Sequence, residues 1–266
     1  MPLNRRVGVV VVLTALALSA SFAMTWPTHD VALGSRSFAL SGRILLGLLA
    51  VGLAWAGADA IVRGNPKASP VQLRRPLLGS ILPTAVTAAV WVLLTRLPNL
   101  ETRVMAIAAN AAILAVLIPA EYYVADPAAR WRGVVLVFLQ LAGYSVAALL
   151  YGAAYPTVLE VNAARAGAVV SALVALRLLG EDDLPVARIL WASLGIGFLL
   201  GAISWLLHSP AGSAVTYSLT LGIFLYMLVG LARQSLWNKL RRGVVLEYLL
   251  VGLAALALLF YTRQAQ

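Results

Sequence analysis

The sequence predicts an all-α fold, a polytopic transmembrane helix bundle of about nine spans with its N-terminus inside and its C-terminus outside. Three observations predict it. Of the 266 residues, 62% are hydrophobic and 11% are charged, where an ordinary soluble domain is about 25% charged. Mean hydropathy is +0.91, more apolar surface than a soluble domain can hide. Apolar runs long enough to cross a bilayer, roughly 20 residues each, recur along the whole chain with short breaks. The composition excludes disorder, collagen and a disulfide scaffold, since Gly is 21, Pro 12 and Cys zero. The lack of Cys also excludes thiolate chemistry and Cys-ligated metal.

The runs fall at Val7–Trp26, Gly42–Val62, Leu77–Thr95, Val104–Val124, Val134–Tyr155, Leu159–Leu179, Ile189–Leu207, Ala214–Leu231 and Val244–Tyr261. Together they make one integral-membrane domain over residues 1–266. The first run has a basic start and Ser21-Phe22-Ala23 as a signal-type cleavage site, but its apolar stretch is long for a signal sequence, so residues 1–26 read as a retained first span. The longest breaks are Pro27–Ser41, with His29 and Asp30, and Arg63–Pro76. In the second run Ala50, Ala54 and Ala58 repeat at four-residue spacing, and the seventh carries Gly197 and Gly201. Small residues so spaced let helix backbones approach closely in lipid. The run Gly195 to Gly201 resembles a nucleotide loop only superficially, since no strand precedes it. Arg132-Gly133-Val134-Val135-Leu136 opens the fifth run and Arg242-Gly243-Val244-Val245-Leu246 the ninth. Either this marks a parallel repeat, 42–155 against 159–261, or it is coincidence in a Val/Leu/Ala-rich alphabet.

Net charge is +10. The basic residues lie between apolar runs, so they orient the chain in an anionic membrane; no motif points to nucleic acid. With the N-terminus inside, the inner set is Arg5, Arg6, Arg63, Lys67, Arg74, Arg75, Arg130, Arg132, Arg177, Arg188, Arg233, Lys239, Arg241 and Arg242. The outer set is Arg36, Arg43, Arg96, Arg103, Arg165 and Arg263. Losing or adding a span would scramble that asymmetry. Trp26 and Trp205 then fall at outer ends, and Trp131 and Trp237 in inner loops.

Ionisable residues inside spans are costly and are candidate sites by default. Asp59, Glu121 and Glu247 each lie within a turn or so of the inner face. Pro83 and Pro119 lie in the inner halves of the third and fourth spans, where each frees a carbonyl from the helical ladder. Carboxylates and freed carbonyls would gather in an inward-facing vestibule suited to a cation, a proton or a polar head group. Against this, acids so near helix ends pair with Arg63, Arg130, Arg132 or Arg242, or snorkel, at little cost. Arg165 lies about two turns into the sixth span, below Glu160 and Asn162. It is either an anion clamp open to the outside or a residue reaching lipid phosphates from a helix that starts late. Asn110 and Gln140 read as interhelical hydrogen bonds. His29 and His208 have no partner at metal spacing, and no serine elbow or phosphate loop is present, so no catalytic residue, metal or cofactor is expected.

Ala120-Glu121-Tyr122 with Asp126-Pro127, Ala172-Leu173 to Ala175-Leu176-Arg177-Leu178-Leu179, Leu225-Tyr226 to Gly230-Leu231, and Val245-Leu246-Glu247-Tyr248 resemble an uncharacterised bacterial family of small polytopic membrane proteins, a domain of unknown function. The resemblance covers roughly the last two thirds of the chain. It implies a bacterial cytoplasmic (inner) membrane and a compact helical fold. It brings no activity with it and at most raises Glu121, Asp126 and Glu247 as positions to test.

Three function classes follow. The first is a small permease or lipid-handling protein using the vestibule of Asp59, Glu121 and Glu247. The second is a non-catalytic subunit of a larger membrane complex, presenting small-residue grooves such as Ala50, Ala54 and Ala58. The third, an intramembrane enzyme, lacks convergent acid and base groups. The expected partners are membrane lipids and other membrane subunits, not nucleic acid.

Overall fold

The computed structural model describes residues 2–23, 28–33, 36–68, 78–155, 160–180, 184–207 and 213–264. Trp26, Arg74, Arg75 and His208 lie outside the described residues. Among the described residues there are nine long helices, one for each apolar run. They are α1 (Leu3–Ala23), α2 (Gly42–Arg63), α3 (Leu78–Leu94), α4 (Leu100–Val124), α5 (Arg132–Ala154), α6 (Glu160–Leu179), α7 (Val186–Leu207), α8 (Ala214–Leu236) and α9 (Arg242–Gln264). Between α1 and α2 the polar break contains an antiparallel hairpin, β1 (Thr28–Leu33) and β2 (Arg36–Ser41), registered Thr28 to Ser41 and Leu33 to Arg36.

Six helices, α1, α2, α4, α5, α7 and α8, are long and apolar enough to cross a bilayer; α3 is apolar but 17 residues long. Trp191, Phe198 and Leu206 on α7 stand exposed. A helix surface of that kind meets lipid tails rather than water. The protein is a helical membrane protein.

Several helices start or end beyond the apolar runs. The fifth and ninth begin at Arg132 and Arg242, because an arginine is a good helix former whose head group reaches the interface. α8 runs five residues past Leu231 and closes at Asn238, the one described non-glycine residue with positive φ, 52°. There the Lys239 N–H donates to the Gln234 carbonyl and the Asn238 N–H to that of Ser235, a Schellman closure in which asparagine tolerates the left-handed turn.

The chain divides into two compact units, residues 1–139 and 140–266. In the first, Val7 on α1 clusters with Ala58, Ile61, Leu114 and Ile118. Further along α1, Ala17 and Leu18 cluster with Ala50, Leu94, Ala106 and Ile107. These pairings make α1 antiparallel to α2 and to α4. Ala50, Ala54 and Ala58 are wholly buried, so the alanine stripe is spent on packing inside this unit. A Cβ placed on Gly47 would overlap the Trp91 indole, which fixes how closely α2 and α3 approach.

In the second unit α6 and α7 form the closest helix pair. A Cβ on Gly197 would stand 2.7 Å from the Ala168 carbonyl oxygen, and one on Gly201 2.9 Å from the Ala168 Cβ. The glycine spacing is therefore a packing device. Tyr151, Val174, Leu178, Leu200, Leu221 and Leu225 belong to the apolar core of this unit.

Candidate functional site

The buried face of α4 carries Asn110, Leu114, Leu117, Ile118 and Glu121. Eleven residues complete just over three turns, so Asn110 and Glu121 share one face, about 16 Å apart along the axis. Glu121 is 4% exposed. It lies near the end of the unit where Asn65, just after α2, donates its Nδ2 to the Tyr122 carbonyl at 2.8 Å and accepts the Lys67 N–H at 2.9 Å. At the same end Arg132 donates from Nε to the Val124 carbonyl at 3.3 Å, placing a cation where the α4 dipole is negative.

Asn110 is fully buried, and neither its Oδ1 nor its Nδ2 has a hydrogen-bond partner. The interhelical hydrogen bond expected for Asn110 is thus absent. On α1, Thr14 is also fully buried with its hydroxyl unpartnered. Along α1 and α4 both fall between the two apolar clusters, so a polar layer interrupts the unit near mid-height. Thr87 on α3 is fully buried as well, but donates to the Pro83 carbonyl at 2.9 Å. Buried polar atoms left unpaired cost roughly 1–3 kcal/mol each, so natural proteins keep few.

The other predicted site residues have separate settings. Asp59 Oδ2 accepts from Arg63 Nε at 2.7 Å, an i,i+4 pair on α2 that is partly exposed. Glu247 is exposed on α9 and Arg165 exposed on α6, both in the second unit. Asp59 and Glu121 share the first unit; Glu247 and Arg165 belong to the other.

Sequence reasoning missed several arrangements. At the opposite end of the first unit, Arg43 Cζ lies 4.0 Å and Arg103 Cζ 5.5 Å from the Phe22 ring centroid. In the nearby turn after α3, burial lowers the pKa of Arg96. In the second unit Tyr151 and Ser171 share a buried hydrogen bond of 2.6 Å, Ser204 and Tyr217 another of 2.5 Å, and Tyr155 packs on Tyr217 at 4.7 Å. Arg177, read as an inner-loop cation, is 3% exposed in the last turn of α6. A cleft of about 350 Å³ in that unit, lined by Tyr144, Ser145, Gly222, Tyr226 and Gly252 among others, is almost wholly apolar. Among the described residues no three His, Asp or Glu side chains are grouped to hold a metal.

A family model described as protein of unknown function, DUF5656, matches residues 29–262. The chain belongs to the DUF5656 family. The match reaches well beyond the last two thirds on which the sequence resemblance rested, taking in the hairpin, α2 and α3 of this DUF5656 chain. No curated protein and no solved structure matches it.

Proposed function

We propose that this DUF5656 protein is a small permease of a bacterial cytoplasmic membrane, with a polar vestibule at Glu121 and a path along the buried face of α4 past Asn110 and Thr14. The observation that carries this reading is Asn110, wholly buried with both amide atoms unpartnered, on the same face as a buried carboxylate. A lone buried amide is a poor structural choice where leucine would pack without loss. It suits a position that a hydrated or partly dehydrated solute passes. The groups on the path are a carboxylate, a hydroxyl and an amide oxygen. Such hard oxygen donors favour a proton or an alkali cation. Membrane lipids are its surroundings and partners.

The alternative of a scaffold subunit presenting the alanine stripe of α2 as a docking groove loses its support, since those alanines are wholly buried.

The test is flux into proteoliposomes, read with a pH dye and with rubidium. Wild-type protein should carry one of the two ions. Asn110→Leu should lower that flux at least tenfold while raising resistance to unfolding by about 1 kcal/mol, because it removes an unsatisfied buried amide. A wild type that carries neither ion, or a variant that carries as much as the wild type, contradicts the proposal.

A further inference from the structure

We infer that the end of the first unit where α2 and α4 begin is a binding site for a phosphate group, held by Arg43 and Arg103 beside Phe22. This inference is independent of the permease reading.

Arg43 is the second residue of α2 and Arg103 the fourth of α4, so two helix N-termini converge there. The N-terminal end of a helix is positive and disfavours a cation. An arginine in the first turn is ordinary when it reaches water, but here both side chains are partly buried. Both lie within 5.5 Å of one phenyl centroid, and Arg43 Nε and Nη2 are buried with no hydrogen-bond partner. Arg103 commits its Nε to the Leu97 carbonyl at 2.8 Å, which orients the guanidinium and leaves its terminal nitrogens to a ligand. The acid among the described side chains of this end, Glu101, is exposed.

Two like charges, two positive helix ends and buried donor nitrogens in one place are jointly unfavourable without an anion. Together they fit one closely. A phosphate oxygen pair accepts the parallel N–H donors of a guanidinium fork, and helix N-termini add favourable dipoles. The ring of Phe22 holds the guanidinium planes by cation–π contact, so a ligand need not order them. The same chemistry is offered by a phospholipid head group at the bilayer surface and by free phosphate.

The experiment compares the full chain with the double variant Arg43→Gln/Arg103→Gln in detergent, with folding checked by circular dichroism and monodispersity. One arm adds phosphatidylglycerol or phosphatidylcholine and reads lipid retention by native mass spectrometry. The other adds inorganic phosphate without lipid and reads binding by phosphorus-31 line broadening. Retention of lipid by wild type, at least tenfold weaker in the variant, supports the site and names a head group as its ligand. Phosphate broadening lost in the variant, without lipid retention, supports the site and names a free anion. Equal behaviour of wild type and variant in both arms overturns it, as does an equal loss in Arg130→Gln, an exposed arginine on the α4–α5 turn. If the double variant does not fold, Arg43→Lys is read instead. It keeps the charge but loses the fork, so binding should weaken severalfold, and unchanged binding again overturns the site.

Discussion

Asn110 and Asp59 both place short polar side chains in apolar helices and meet different ends. Asp59 pairs with Arg63 one turn on, at the helix end. An i,i+4 pair with partial exposure contributes only about 0.3–0.5 kcal/mol. Asp59→Asn should therefore change unfolding free energy by less than about 0.5 kcal/mol, measured by denaturant or steric-trap unfolding; a loss of several kcal/mol would mean the carboxylate has another task. Asp59's partner was legible because spacing along one helix is written in the sequence. Asn110 was visible as a polar residue in a span, but its lack of a partner was not, since that depends on what α1 and α3 bring to its level. Phe22, Arg43 and Arg103 were less legible still. They come from three helices, and no periodicity links them.

At the level of the helix, apolar run length carried nearly all the information. Each run became one helix, because the backbone in lipid has no other way to satisfy its hydrogen bonds within a single segment. The ends were less legible, since Arg132, Arg242 and the polar tail of α8 continue a helix that hydropathy has already ended. The hairpin was missed because two six-residue strands leave no long pattern in a polar break. Small-residue spacing was read correctly as packing, and it makes a sharp contrast testable. Gly197 faces α6 while Gly195 has nothing within 4 Å of its added Cβ. Gly197→Leu should destabilise by about 1–3 kcal/mol by forcing α6 and α7 apart, and Gly195→Leu should be near neutral in the same thermal assay. Asn238→Val should cost about 1 kcal/mol or more, since a β-branched residue resists positive φ, whereas Asn238→Gly should not. Comparable effects for valine and glycine would remove the Schellman account.

The molecule as a whole consists of two compact units divided within α5. In each unit the packed pairs are the ones a chain reversing direction at every connection would make. Gly57 meets Val10, Gly201 meets Ala168 and Gly252 meets Met227. The basic residues bias one set of ends, and that bias orients a chain of alternating spans. On that orientation the Glu121 end opens to the inside and the Arg43 end to the outside. The native chain has no cysteine, so single cysteines report position cleanly. The most direct measurement is labelling of Lys67→Cys and Asn99→Cys by an impermeant maleimide on intact cells. Asn99→Cys should label at once and Lys67→Cys only after the membrane is opened. Labelling of Lys67→Cys on intact cells, or of both positions alike, would contradict the account.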